Sequence, residues 1–182
     1  LIEVNRKYTD LIKKYIDNPD LILEKKQKWF IGLSASNYES DSILDIPQAL
    51  NDNMLMGEFF ENLDYLSYWY DDISTNFIDN LTNEIEILLP QGELVSISKE
   101  PEDRDLVFYF SGHAIAFDGK NYLLPIDIID TFSDFEEARP YLISLDKLIN
   151  KLSIYFKGTT IIIIDACRTL SATKETQINN DY

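Results

Sequence analysis

The sequence predicts an α/β fold, a doubly wound domain with a mostly parallel sheet flanked by helices. Three observations predict it. Apolar runs suited to strands alternate with segments of helical spacing; one run of β-branched residues lacks polar alternation; and two runs end in short polar strings, SGH and DAC, where a buried strand would emerge at the C-terminal edge of a sheet. With 182 residues, 45% of them hydrophobic, the chain can bury one substantial core and is not expected to hold two full domains.

Residues 1–28 carry Ile2, Tyr8, Leu11, Ile12, Tyr15 and Ile16 at near-helical spacing, then Asn18 and Pro19, then a short pattern ending in Lys25, Lys26 and Lys28. This is a helical lead-in, with residues 29–182 as the main domain. Trp29 to Leu33 is a first buried strand, followed by the polar loop SASNYES. Pro47 opens a helix in which Leu50, Met54, Leu55 and Phe59 are expected to form a core stripe. Tyr65 to Tyr70 is a second strand, and Phe77, Ile78, Leu81, Ile85, Leu88 and Leu89 predict a helix ended by Pro90 and Gly92. Leu106 to Phe110 is the third strand. Ser144 caps a helix through Leu145, Leu148, Ile149 and Leu152, closed near Gly158. Thr159 to Ile164 is the fourth strand, expected to be buried on both faces.

A net charge of -16 argues against a nucleic-acid or anionic-membrane surface, since phosphate binding needs clustered Lys and Arg, and it favours basic peptides as partners. No stretch reaches the roughly 18 to 20 apolar residues of a membrane span. One cysteine forms no internal disulfide, which points to a reducing, cytoplasmic setting. The chain starts at Leu1 rather than Met, so it is expected to be a fragment or processed piece.

The chain has one histidine, His113, and one cysteine, Cys167, so only one Cys-His arrangement is available. A thiolate attacks an acyl carbon well, but a free thiol with a reference pKa of about 8.5 needs a neighbour to take its proton. His113 is the one imidazole that can do so. The backbone N–H groups of Ala114 and Cys167 are the natural donors for an oxyanion. Taken singly, each residue is more readily a buried cysteine or a satisfied surface histidine. Their shared placement favours the pair. No Gly-rich phosphate loop, zinc spacing or serine triad is visible.

FYFSGHA followed by IIIIDACR resembles the caspase, metacaspase and paracaspase superfamily. The caspase signature itself sets its His about 50 residues upstream of its Cys, so the spacing here is a match to that signature. NYLLPID, IGLSASNY and ALNDNMLM are similar to the segment after the family's His, its first strand and its first helix, and the resemblance covers roughly residues 29 to 170. It implies that Cys167 is the nucleophile and His113 the base, with Ala114 and Cys167 forming the oxyanion hole. The chain departs from the family at Ala114, where Gly is usual; a Gly that needed positive φ there would leave the oxyanion hole distorted.

Caspases that cut after Asp use Arg in the pocket, yet Leu33 to Asp52 contains no Lys or Arg. Asp165 stands where caspases have Gln and where metacaspases and paracaspases that cut after Arg or Lys have Asp, and Asp52 resembles their second pocket acid. Two converging carboxylates would bind a guanidinium through charge-assisted hydrogen bonds. Arg168 is a competing partner for Asp165. Some metacaspases are calcium-activated, and Asp127, Asp130, Asp134, Glu136 and Glu137 invite that idea; their spacing fits no EF-hand loop and favours a solvated acidic loop. No cofactor is expected, calcium activation being the alternative.

Few residues follow Cys167, and the resemblance implies that the chain is the large-subunit portion, lacking the small-subunit region that would complete the binding loops or a larger assembly. The expected function is a cysteine endopeptidase acting after Arg or Lys, an effector in regulated cell death or defence. The alternatives are a catalytically impaired caspase-like binding or scaffold module, or a separase-like or clostripain-like peptidase.

Overall fold

Residues 28–77, 80–81, 104–128 and 134–167 are described in the computed structural model of the chain. The four expected strands form, as β1 (Lys28–Ser34), β2 (Leu66–Tyr70), β3 (Asp105–Phe117) and β6 (Thr160–Cys167). Two short strands lie between the last two, β4 (Lys120–Leu123) and β5 (Ile143–Ser144). The helices are α1 (Pro47–Asn62), α2 (Phe135–Ala138) and α3 (Leu145–Leu152), with a 3-10 turn at Arg139–Tyr141. Ser144 caps α3 by accepting from the Lys147 N–H, as its place before a helical pattern predicts. The lead-in lies outside the described residues, with Lys28 opening β1, and so does most of the helix expected after Phe77.

β2, β1, β3 and β6 run parallel in that spatial order. β3 extends beyond its parallel neighbours, and its far end turns at Asp118 and Gly119 into β4, which pairs antiparallel with β3 and with β5. The sheet is therefore mixed. Alternate residues of β1 and β3 face opposite layers: Trp29, Ile31, Leu33, Leu106, Phe108 and Phe110 join Leu145, Leu148 and Leu152 of α3, while Phe30, Val107 and Tyr109 meet Met56 and Phe60 of α1. Helices thus cover both faces, which is why these strands carry no polar alternation.

Two burial expectations are corrected. Leu50, Met54, Leu55 and Phe59 of α1 are between 37% and 57% exposed, and the buried face is Ala49, Asn53 and Gly57. Small residues win because the helix lies close on the sheet: a Cβ at Gly57 would meet the Trp69 ring at 2.4 Å, and Ser67 Oγ donates to the Gly57 carbonyl at 2.8 Å. β6 is not buried on both faces either, since Ile161, Ile162 and Ile164 are 50%, 42% and 38% exposed. Among the described residues β6 pairs only with β3, so it is the outer strand on that side. No helix among the described residues is long and apolar enough to cross a membrane.

Candidate active site

The parallel register sets the site. β3 and β6 pair Ser111 with Asp165, Gly112 with Ala166 and His113 with Cys167. Neighbouring strands lie about 4.8 Å apart, so the backbones of the lone histidine and lone cysteine are immediate neighbours at the C-terminal edge.

His113 is buried, and the loop between β1 and α1 holds it from two directions. Its backbone N–H donates to Tyr38 Oη at 2.9 Å, with the Tyr38 ring 5.1 Å from the imidazole. Its Nε2 lies 2.8 Å from the Leu44 carbonyl oxygen. A carbonyl only accepts, so Nε2 carries the proton and Nδ1 keeps the lone pair of the neutral ring. Nδ1 is buried and has no hydrogen-bond partner among the described residues. The ring therefore presents one unspent basic nitrogen.

The loop is itself anchored. Asp72, in the left-handed region at φ 51°, accepts from Ser36 N–H and Oγ at 2.8 and 2.7 Å, and from Asn37 N–H and Nδ2 at 3.1 and 2.7 Å. Burial opposes its charge, but these donors outweigh burial and hold its carboxyl below the usual range. Asp45 accepts from the Tyr38 N–H at 2.8 Å. Next to Asp72, Asp71 accepts from Ser34 Oγ and Asn53 Nδ2, yet burial pushes its carboxyl up. The Asn53 amide, which also donates to the Tyr70 carbonyl, ties α1 to the end of β2.

Glycine is required at Gly112, not at position 114. Gly112 has φ 154°, and a Cβ there would lie 2.8 Å from Phe110 Cζ and 3.1 Å from the Ala35 carbonyl oxygen. Ala114 is absent from the positive-φ residues and packs in the core opposite Leu123 of β4. Its methyl group therefore imposes no backbone strain.

The hydroxyl of Tyr109 meets Asp165 of β6 and also feels the charge of Asp52 of α1. That hydroxyl donates to Asp165 Oδ2 at 3.4 Å. Burial first, then the charges of Asp165 and Asp52, push the phenol above its usual range against an opposing hydrogen bond with Ser111. Of the two acids, Asp165 is the one in contact with this hydroxyl. Arg168, the competing partner for Asp165, lies outside the described residues.

In the acidic stretch Asp127 accepts from Thr75 N–H and Oγ1 at 2.7 and 2.8 Å, and Asp134 caps α2 through the Glu137 N–H. Asp130 lies outside the described residues. Among the described residues no three His, Cys, Asp or Glu side chains gather as a metal group would.

Sequence reasoning missed Tyr38, the Leu44 carbonyl, Asp72 and Tyr109. Tyr38 left one signal, an aromatic residue inside a polar loop; a backbone carbonyl left none.

A search of curated proteins returns no match. The family model described as a caspase domain, of a peptidase family, matches residues 33–181 and so runs from the end of β1 through β6. With His113 and Cys167 side by side on β3 and β6, the chain belongs to the caspase-domain family of cysteine peptidases.

Proposed function

We propose that the chain is a cysteine endopeptidase that cuts after Arg or Lys with a Cys167–His113 dyad. The observation that carries the proposal is the register pairing of His113 with Cys167, which sets Asp165 beside Ser111 on the same edge. His113 Nδ1 takes the thiol proton, and the thiolate adds to the scissile carbonyl carbon. The Ala114 and Cys167 N–H groups stabilise the resulting oxyanion. Collapse expels the amine, which receives the proton from His113, and leaves a thioester. Water, deprotonated by His113, then hydrolyses the thioester and frees Cys167. The Leu44 carbonyl steadies the imidazolium formed on the way.

Asp52 and Asp165 are the acids that would receive the substrate's cation. Charge over a wider area supports the same choice: no Lys or Arg occurs between Trp29 and Ser98, whereas Glu39, Asp41, Asp45, Asp71 and Asp72 lie in the loops after β1 and β2. Such a surface attracts basic peptides and repels acidic ones. The mechanism uses no cofactor; calcium would act, if at all, as a regulator outside these steps. A small-subunit region or larger assembly would complete the walls of the site. A cytoplasmic effector of regulated cell death or defence is the role suggested by family analogy alone.

The test is hydrolysis of matched peptides differing only in Arg, Lys or Asp before the scissile bond. Cys167→Ala is expected to cut turnover at least about a thousandfold. Turnover that survives Cys167→Ala, or none by the wild type, overturns the proposal.

A further inference from the structure

We propose that Tyr109 is a specificity-determining positioning residue, its hydroxyl fixing the Asp165 carboxylate in the orientation that receives a guanidinium or ammonium group. The proposal rests on the basic-residue pocket described above.

Asp165 is exposed, near the end of a strand that among the described residues pairs only with β3, and an exposed carboxylate can turn away from a ligand. Among the described residues its one hydrogen bond comes from Tyr109. Tyr109 has the rigidity that Asp165 lacks. It is 3% exposed, lies in the middle of β3, and stacks against Phe30 at 6.4 Å between ring centroids. Its β6 partner is Ile163, two residues before Asp165, so the phenol reaches diagonally across the ladder to the acid.

Chemistry also favours this role. The phenol remains protonated and neutral beside two acids, so it donates without adding charge to the pocket. Its donation engages Oδ2 and leaves Oδ1 for a cation. At 3.4 Å the contact is long for an O–H···O bond. Such bonds in empty sites commonly tighten once the ligand is bound.

The experiment uses agmatine, a guanidinium probe with no scissile bond, titrated calorimetrically into the full chain. Tyr109→Phe keeps the buried ring and removes only the hydroxyl. It is expected to weaken agmatine about 3- to 30-fold. In an Asp165→Asn background the same change is expected to have no further effect, because the hydroxyl acts through that acid. With an Arg peptide the loss is expected in KM, with kcat changed less than about twofold. A second readout needs no variant at 109: the 13Cζ resonance of Tyr109 should move on Asp165→Asn and on adding agmatine. Wild-type binding unaffected by Tyr109→Phe, a full additional loss in the double variant, or a resonance unmoved by both changes overturns this role and leaves the pocket standing. Failure of the wild type to bind agmatine, or equal binding by Asp165→Asn, overturns the pocket and this role with it.

Discussion

His113 lies within a strand that is buried from Leu106 to Ala114, whereas Cys167 ends a strand whose Ile161, Ile162 and Ile164 stand half-exposed. At the histidine, Tyr38 holds the backbone N–H, Leu44 holds Nε2, and Asp72 and Asp45 hold the loop that supplies both. At the cysteine, the β3–β6 ladder sets the backbone beside His113. The histidine is thus set by many mutually supporting contacts of its side chain, backbone and neighbouring loop. Substitutions in β3 and its supporting loop should therefore act strongly on folding, while those on the open side of β6 should act weakly.

The largest effect breaks β3 itself. Phe108 is fully buried between β1 and β6, and Phe108→Ala is expected to cost about 3 to 5 kcal/mol in denaturant unfolding. A cost below about 1 kcal/mol would remove the contrast between the two strands.

Gly112 and Ala114 sharpen it within β3. Gly112→Ala forces a Cβ into a conformation that L residues rarely adopt, against a backbone oxygen that cannot move away, and is expected to cost about 1 to 3 kcal/mol. Ala114→Gly relieves no strain, so it should not raise turnover. A rise of tenfold or more would show that the methyl group restrains the oxyanion hole.

The adjacent acids Asp71 and Asp72 give a smaller contrast with opposite signs. The Asp72 carboxyl is held below its unfolded value, so its contribution is complete above the ordinary carboxylate range near 3.9 and is lost as pH falls through the lower folded value. For Asp71 the folded value is raised, so ionisation costs stability; that cost is complete above the raised value, shrinks as pH falls from there, and is gone below the ordinary carboxylate range. At pH 7, Asp72→Asn is expected to lose about 1 to 2 kcal/mol and Asp71→Asn less than about 0.5. Thermal melts from pH 7 downward check this: the gap between wild type and Asp72→Asn should narrow in acid. Equal losses for the two variants would contradict it.

Ile162→Thr should have the smallest effect, below about 1 kcal/mol, because much of the side chain is already in water and threonine keeps the β-branch.

These contrasts also mark what the sequence made legible. The strands were legible because β1 and β3 are covered on both faces and so read as unbroken apolar runs. The same rule failed for β6, whose similar pattern is half-exposed at Ile161, Ile162 and Ile164: a run of isoleucines records a strand, not its neighbours. The α1 stripe failed for a different reason, since a helix pressed close to a sheet buries Ala49 and Gly57, while the larger apolar residues stay outside. At the site, His113 and Cys167 stood out as the single members of their types, and the register makes them neighbours; Asp52 and Asp165 were proposed from family resemblance. Their supports were not legible. The Leu44 carbonyl has no side-chain signature, and Tyr109 was hidden among core aromatics, because only the β3–β6 register brings its hydroxyl to Asp165.

The central claim is that this edge uses carboxylates to select a basic residue for the cysteine to act on. Its most direct test is kcat/KM for Arg, Lys and Asp peptides with the wild type and Asp165→Asn. The wild type should prefer Arg and Lys over Asp, and Asp165→Asn should lose about 10- to 100-fold on the basic peptides alone. A wild-type preference for Asp, or equal losses on all three peptides, would contradict it.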